Sequence, residues 1–468
     1  MKILSTLSIL SALLSLTSLA ETTVSKLNIL LICVDDLRPE LGCYGREHMH
    51  TPHIDKLASQ GRLFSRHYVS APTCGVSRFS LLTGRHPRSE LDLKNTVISD
   101  RSSSNTLPPT IPQVFKNNGY STIAIGKVSH YPGGLYGKDW NDPTKVEIPD
   151  AWSENLMPNG NWKNPKNAMH GVANGTPRIR KQTPAIEIAK GDDPIYPDGL
   201  ITNSATEKIA ELSKNEKPWF LAVGLIKPHL PFTAPQPYWD LYDGQKLPVV
   251  LHPEKPERDL TWSRSGEFLN YNHEGKDPRK DPEYAALLRR HYYASVSYAD
   301  AQVGKILTSL EKSGQARNTI VVLWGDHGWN LGERNIWGKH NLYEEALHAP
   351  LIIHIPNIKE PGVAANAIAE TTDIFPTLCA LSDIQPPEGL DGDSLTPQLQ
   401  NPKAPSDDIA SSFWNHARTI RTDNKRLTRV IKNDETHYNL FLFPESQAPS
   451  SEQLTEAKKE LSGHFLKP

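Results

Sequence analysis

Apolar runs of strand length alternate with helical segments along most of this 468-residue chain, and this alternation restricts the fold more than any other feature. A run from Leu27 to Cys33 precedes a predicted helix that ends at Gly61, and further runs follow as STIAI, PWFLAVGL, NTIVVLWGDHG and APLIIHIP. Strands joined by helices in this way form a mostly parallel sheet with helices on both faces. The pattern therefore predicts an α/β fold.

The C-terminal part of the chain has a different pattern. From about Ile409, short runs of alternating polar and apolar residues replace the alternation of strands and helices. Such runs predict a small antiparallel sheet. We therefore expect a large domain over residues 21–408 and a small C-terminal subdomain over residues 409–468.

The N-terminus has the layout of a secretory signal peptide. Lys2 precedes an apolar, Ser-rich run that ends on small residues at Ser18 and Ala20. This layout predicts cleavage after Ala20 and a secreted or periplasmic protein without a stable membrane anchor. The alternative is an uncleaved anchor, because the run approaches the length that spans a membrane.

Composition and cysteine usage exclude several classes of protein. The net charge of −2 and the absence of a basic excess argue against nucleic-acid binding. An exported protein can form disulfides, but Cys33, Cys43, Cys74 and Cys379 are too few and too scattered for a disulfide framework. Cys33 and Cys379 lie in apolar runs and are predicted to be core thiols.

Cys74 lies in a different kind of segment, APTCGVSRFSLLTGRHP. Its neighbours are polar and basic, with Arg78 four residues further on. A structural thiol prefers apolar neighbours, so the segment predicts a polar turn in which Cys74 is placed for chemistry.

Acidic residues follow two of the predicted strands. Asp35 and Asp36 end the first strand, and Asp326 with His327 ends a late one. The carboxyl ends of parallel strands meet at one edge of a sheet, so these acids could form a site for Ca²⁺ or Mg²⁺. Alternatively, they cap helices or pair with arginines.

Basic residues follow strands at the same predicted edge, namely Lys127, His130, His229 and Lys339. Each alone is typical of a solvated surface. Together they would surround the acids with positive charge. Such an arrangement suits a tetrahedral oxyanion ester, because cations neutralise its charge and a histidine can protonate the leaving oxygen.

These segments together resemble the type I sulfatases, which are relatives of alkaline phosphatase, and most closely the iduronate-2-sulfatase branch. The family signature appears as Cys74-Gly75-Val76-Ser77-Arg78 followed by Thr83-Gly84-Arg85. Similar segments across nearly the whole mature chain include LLICVDDLRPELGCYG, IGKVSH, LAVGLIKPHLPF and WGDHGWNLGERNIWGKH. The resemblance implies an alkaline-phosphatase-like sheet and hydrolysis of sulfate esters on sulfated carbohydrates.

The resemblance also implies roles for individual residues. A formylglycine-generating maturase would convert Cys74 to formylglycine, whose hydrate is the nucleophile. The implied metal ligands, usually for Ca²⁺ although Mg²⁺ is possible, are Asp35, Asp36, Asp326, His327 and residue 74 itself. The implied catalytic and sulfate-binding residues are Arg78, Lys127, His130, His229 and Lys339.

The hydrate explains why a modified residue is needed. In the implied mechanism, one of its hydroxyls would attack sulfur while His229, with Lys339 nearby, would protonate the leaving oxygen. The other hydroxyl, deprotonated with help from His130, would expel sulfate. A serine or an unmodified cysteine would leave a stable covalent adduct.

One position departs from the family pattern, and two other functions stay open. Val76 stands where the family usually has Pro, so either a permissive maturase accepts it or Cys74 stays a thiol in a silent protein that binds sulfated glycans. A phosphatase or phosphodiesterase of the same superfamily is the other alternative.

Five aromatic residues in two irregular segments, 131–200 and 231–282, could stack on sugar rings or pack their own loops: Trp140, Trp152, Trp162, Tyr238 and Trp239.

Overall fold

The computed structural model describes residues 26–131, 146–256, 260–444 and 449–465. The predicted signal peptide and Trp140 lie outside these ranges. The strands are β1 (Asn28–Val34), β2 (Arg62–Tyr68), β3 (Ser121–Gly126), β4 (Glu154–Leu156), β5 (Ile186–Ala189), β6 (Trp219–Leu225), β7 (Phe232–Pro235), β8 (Thr319–Gly325), β9 (Asn330–Leu331), β10 (Trp337–Gly338), β11 (Leu351–His354), β12 (Ala365–Glu370), β13 (Ala410–Trp414), β14 (Ala417–Arg421), β15 (Lys425–Lys432) and β16 (Glu435–Leu442).

The helices flank these strands along the chain. They are α1 (Pro52–Gln60), α2 (Cys74–Thr83), α3 (Val97–Ser103), α4 (Ile111–Asn117), α5 (Pro165–Met169), α6 (Pro197–Leu212), α7 (Gln236–Asp240), α8 (Pro282–Lys312), α9 (Glu344–Leu347), α10 (Ile374–Leu381), α11 (Thr396–Gln400) and α12 (Ser451–Leu461). Among the helices of the described ranges, none is both long enough and apolar enough to span a membrane.

A mixed sheet of eight strands forms the centre of the molecule, in the order β12-β2-β11-β8-β1-β6-β3-β4. β1 pairs in parallel with both β6 and β8, and β11 runs antiparallel to its two neighbours. The sheet is therefore mostly parallel, which confirms the predicted fold class.

The position of β1 inside the sheet explains why its sequence is continuously apolar. Leu30, Ile32 and Val34 face one core layer, which includes α1, α6 and α8. The residues between them face a second layer, which includes α2, α4 and α10. Because helices cover both faces, each β1 position is buried, and a strand alternating between polar and apolar residues would not fit here.

The C-terminal strands β13 to β16 form a separate antiparallel sheet in sequence order, against which α12 packs. This confirms the predicted antiparallel subdomain. The sheet is joined to the larger one where the N–H of Phe413 donates to the carbonyl of Ser70 over 2.8 Å. The boundary between residues 408 and 409 stays a prediction.

The two irregular segments pack against each other. β5, from the first segment, pairs in parallel with β7, from the second. Trp152 and Trp162 are buried, while the rings of Tyr238 and Trp239 pack against α8. For these four aromatic residues the structure favours the packing alternative over stacking on sugar rings.

Candidate active site

The ends of three strands in the central part of the large sheet place charged side chains at one of its edges. Asp35 and Asp36 follow β1, Lys127 follows β3, and Asp326 follows β8. These four side chains are fully buried, although each carries a titratable group. Buried charges are stable only when they are paired or bind a ligand. This edge of the sheet is therefore the candidate active site.

Arg78 connects the carboxylates at the base of this site. Its Nη2 donates to Asp35 Oδ1 over 3.0 Å, and its Nε donates to Asp326 Oδ2 over 3.1 Å. Its Nη1 donates to the carbonyl oxygens of Lys127 and Val128. A planar guanidinium can make all these bonds at once, whereas a lysine ammonium could not.

Cys74 is the first residue of α2 and is only 3% exposed, so the prediction of a polar turn was wrong. The helix brings the Cys74 thiol inward because the next residue, Gly75, packs against the backbone of Asn95. A Cβ at position 75 would lie only 2.4 Å from Asn95 Cα. The Gly75 N–H also donates to Asn95 Oδ1 over 2.9 Å. Burial, followed by the charge of Asp35, raises the pKa of the Cys74 thiol well above its ordinary value.

A group of potential metal ligands surrounds the thiol. Ligand atoms of Asp35, Asp36, Cys74 and His327 all lie within 4.8 Å of one another. Asp36 Oδ2 is buried and has no hydrogen-bond partner among the described residues, which leaves its lone pairs free for a cation. Two carboxylates, an imidazole and residue 74 fit a divalent ion.

Asp326 supports this group from beside it. Its Oδ1 accepts a hydrogen bond from the backbone N–H of Asp36 over 2.9 Å and lies 3.7 Å from His327 Nε2. Asp36 has a φ of 59°, in the left-handed region that Asp tolerates better than most residues. The bond to Asp326 thus helps to hold Asp36 in an uncommon backbone conformation.

Lys127 and Lys339 carry positive charge to the same cluster. Lys127 Nζ donates to Asp35 Oδ2, and Lys339 Nζ donates to Asp36 Oδ1 over 2.7 Å and to Cys74 Sγ over 3.2 Å. Burial alone would lower the pKa of Lys339, but Asp36 and the other acids outweigh it and raise the pKa well above its ordinary value. Burial also opposes the charge of Lys127, but Asp35 outweighs it and raises the pKa of Lys127, so both ammonium groups stay charged.

The two predicted catalytic histidines differ in their surroundings. His229 Nε2 lies 3.8 Å from Asp36 Oδ2, and its Nδ1 lies 2.6 Å from the carbonyl oxygen of Leu230. His130 Nδ1 is buried without a hydrogen-bond partner in the described part of the chain. Burial, followed by the charge of Lys127, lowers the pKa of His130 well below its ordinary value, so this imidazole is neutral.

Three residues at the site were not found from the sequence. Glu267 Oε1 lies 3.0 Å from His229 Nε2, and the ring of His170 lies 4.5 Å from that of His229. Lys227 Nζ donates to the carbonyl oxygens of His229 and Pro231 and so holds the loop that carries His229. Glu267 and His170 come from the irregular segments, which carry no periodic signal, whereas Lys227 is visible in KPHLPF.

This fold and this cluster of buried acids and cations define a sulfatase-type hydrolase site, and comparison with known proteins agrees. The profile of the Sulfatase family matches residues 27–384, so the chain belongs to that family. A second profile, N-sulphoglucosamine sulphohydrolase, C-terminal, matches residues 332–448.

Among individual proteins, the chain is similar to iduronate 2-sulfatase of Homo sapiens. The two are 32% identical over 409 residues, which cover 79% of this chain and 71% of the relative. A phosphonate monoester hydrolase from Silicibacter pomeroyi has a similar structure, with a TM-score of 0.73 and 24% identity over 94% of this chain and 95% of that one. So does a protein solved with its substrate D-glucosamine-2-N,6-O-disulfate, with a TM-score of 0.71 and 20% identity over 94% and 97% of the two chains. At these identities the structural similarities show the fold alone.

Proposed function

We propose that the chain hydrolyses sulfate esters on sulfated sugars, with residue 74 as formylglycine. The observation that carries this proposal is the position of Lys339, whose Nζ contacts both Cys74 Sγ and Asp36 Oδ1. This ammonium links the residue to be modified with the potential metal ligands. A sulfate group bound next to residue 74 would meet the same positive charge.

The substrate class rests on the family and on two relatives. The name iduronate 2-sulfatase and the glucosamine disulfate bound to a protein of the same fold both concern sulfated sugars. We propose the same class for this chain. The phosphonate monoester hydrolase shares only the fold and does not favour a second function.

A divalent ion, Ca²⁺ or Mg²⁺, would be held by Asp35, Asp36, Asp326, His327 and residue 74. It would neutralise the buried carboxylates and polarise the sulfate oxygens. The thiol of Cys74 is a soft ligand that suits such hard ions poorly, whereas a formylglycine hydrate would offer oxygen. The donor set therefore fits the ion better after modification than before it.

The chain's own residues then divide the proton transfers and the binding of sulfate. Once formed, a formylglycine hydrate at residue 74 would supply the attacking hydroxyl and a second hydroxyl for the release of sulfate. His229 presents Nε2 towards the cluster and donates a proton to the leaving sugar oxygen, and neutral His130 accepts a proton from residue 74. Lys127 and Lys339 bind the sulfate oxygens, while Arg78 holds Asp35 and Asp326 in place.

A comparison of substrates tests the reaction. The purified protein, matured in its native host, is assayed with an aryl sulfate, the matching aryl phosphate and an aryl phosphonate monoester. We expect the highest kcat/KM for the sulfate. A clear preference for either phosphorus ester would replace the sulfatase proposal with its superfamily alternative.

Mass spectrometry of the peptide that contains Cys74 tests the modification. The mass of the aldehyde or its hydrate is expected in protein purified from the native host. A thiol mass alone would support the silent, glycan-binding alternative. The same peptide shows whether a maturase acts on a segment with Val76. The mass of the whole chain in this sample shows whether it has been cut after Ala20, as expected for a secreted or periplasmic protein.

A further inference from the structure

A carboxylate lies among the cations that are proposed to bind the sulfate ester. Glu267 Oε1 is 3.0 Å from His229 Nε2, and Glu267 Oε2 is 3.4 Å from Lys339 Nζ. Since Lys339 also contacts Cys74, only one ammonium group separates the Glu267 carboxylate from residue 74. Glu267 therefore lies next to the two cationic residues that are proposed to contact the sulfate ester.

Glu267 keeps its negative charge in this position. Burial opposes the charge, but Lys339 and His229 outweigh burial and hold the pKa of Glu267 well below its usual range. Its Oε2 atom is buried without a hydrogen-bond partner among the described residues. The Lys339 ammonium lies 3.4 Å away without forming a hydrogen bond, so Oε2 can still accept one from a ligand.

Glu267 is also the part of this cluster that reaches towards solvent. The exposed fraction of its side chain is 20%, compared with 4% for His229, 2% for Lys339 and 0% for Asp36. Of these four side chains, Glu267 is the most accessible to a substrate from solvent. The charge of Glu267 can therefore discriminate between substrates.

We propose that Glu267 determines substrate specificity by selecting sulfated sugars that present a hydroxyl or ammonium donor, and not a carboxylate, beside the sulfate ester. A sugar donor satisfies the free Oε2, whereas a uronate carboxylate places a second negative charge beside it in a poorly solvated pocket. The similarity to iduronate 2-sulfatase points to uronate sulfates, and Glu267 argues against them. This inference rests on the proposed function.

Matched substrate pairs provide the test. Each pair consists of a hexose sulfate and the hexuronate sulfated at the same position, so that only a hydroxymethyl group and a carboxylate differ. Glucosamine 3-sulfate beside glucose 3-sulfate separates an ammonium donor from a hydroxyl donor at the carbon next to the sulfate ester. Sulfate release by the matured protein gives kcat and KM for each sugar, and an aryl sulfate reports the proposed function independently of Glu267's selectivity.

We expect kcat/KM for the hexose sulfate to exceed that for the hexuronate by about tenfold or more. In Glu267→Gln this ratio should fall by about tenfold, chiefly because KM for the hexuronate decreases. Glu274→Gln, an exposed position in the same segment, serves as the matched control and should leave the ratio unchanged. Two results would overturn this inference while leaving the proposed function intact, provided that the aryl sulfate is hydrolysed. One is a preference of the parent protein for hexuronate sulfates, and the other is an unchanged ratio of hexose to hexuronate kcat/KM in Glu267→Gln.

A binding measurement keeps the inference testable if no sulfate ester is hydrolysed. Calorimetric titration of Cys74→Ala with the same sugars measures their affinities without turnover. We expect tighter binding of the hexose sulfate and a loss of this preference in the double variant with Glu267→Gln. Equal affinities for the hexose and hexuronate sulfates would contradict the role of Glu267, whereas failure to hydrolyse even the aryl sulfate would contradict only the proposed function.

Discussion

Lys339 donates a hydrogen bond to the sulfur of Cys74 over 3.2 Å, although the two residues are 265 positions apart in the chain. The same ammonium pairs with Asp36 Oδ1 over 2.7 Å. The contact joins the signature segment, the end of β1 and the loop after β10. It makes Lys339 the group whose loss should disturb the site most directly.

Replacing Lys339 tests this relationship. Lys339→Met removes the charge that faces the proposed sulfate position and keeps most of the side-chain volume. We expect kcat/KM for an aryl sulfate to fall by about 10²- to 10³-fold, which is typical when a preorganised charge is removed from a transition state.

Lys312→Met, at the exposed end of α8, is the control and should retain full activity. Circular dichroism of both variants checks that they are folded. A properly folded Lys339→Met protein within tenfold of the parent's activity would contradict the role given to Lys339.

Val76 is expected to limit maturation rather than folding. It is the third residue of α2, within the first turn, where backbone N–H groups have no acceptor inside the helix and proline is tolerated. Val76→Pro should therefore fold and, when produced with an oxygen-dependent maturase, contain a larger fraction of formylglycine. Mass spectrometry of the Cys74 peptide measures that fraction.

Val76→Ala distinguishes recognition by the maturase from a change in packing. Val76 is fully buried, so its truncation removes core contacts, whereas the family pattern sometimes has Ala at this position. An equal formylglycine fraction in the parent, Val76→Ala and Val76→Pro would show that position 76 does not control modification.

Metal removal should lower thermal stability. The buried carboxylates of Asp35 and Asp36 repel each other, and a cation held by them would favour the folded state by mass action. Chelation is expected to lower the melting temperature by about 5 °C, and added Ca²⁺ to restore it. Differential scanning fluorimetry measures both changes without reference to activity.

Asp36→Asn should abolish this response, because it removes the charge and one of the free oxygen ligands. Asp434→Asn, in an exposed turn of the C-terminal sheet, should respond like the parent protein. A melting temperature that does not change with chelator or Ca²⁺ in the parent would contradict a stabilising ion at this site.

Glu344 should stabilise the contact between the two sheets in a manner that depends on pH. It accepts a hydrogen bond from Tyr68 Oη over 2.8 Å and pairs with Arg421 and Arg426 of the C-terminal sheet. Burial opposes its charge, but Arg426 and Arg421 lower its pKa from 4.5 to about 2. We expect Glu344→Gln to lower the free energy of unfolding by about 3 kcal/mol at pH 7.

The sign of the pH dependence follows from this lowered pKa. The stabilisation by ionised Glu344 is fully present above the pKa of the unfolded chain and is lost as pH falls towards about 2. The stability difference between the parent and Glu344→Gln should therefore shrink between about pH 5 and pH 2. Urea unfolding at several pH values measures it, with Glu388→Gln as an exposed control, and a constant difference would contradict the assignment.

The sequence alone determined the architecture and most of the site. Continuous apolar runs identified strands buried on both faces, because such runs are stable only where helices cover the sheet on both sides. Since parallel strands share one edge, the acids after β1 and β8 could be expected to meet there, and the structure brings Asp36 and Asp326 into contact. The signature around Cys74 and Arg78 is local in sequence and could be read directly.

Only the tertiary structure decided how the residues around Cys74 and His229 are arranged. The polar neighbours of Cys74 suggested a polar turn, but Cys74 begins a helix whose start is turned into the interior where Gly75 closely approaches Asn95. Glu267 reaches His229 from an irregular segment without periodicity, which the other irregular segment contacts where the N–H of Lys181 donates to the carbonyl of Asn270. Contacts between distant, aperiodic segments depend on how the whole chain packs, so no local pattern could have indicated them.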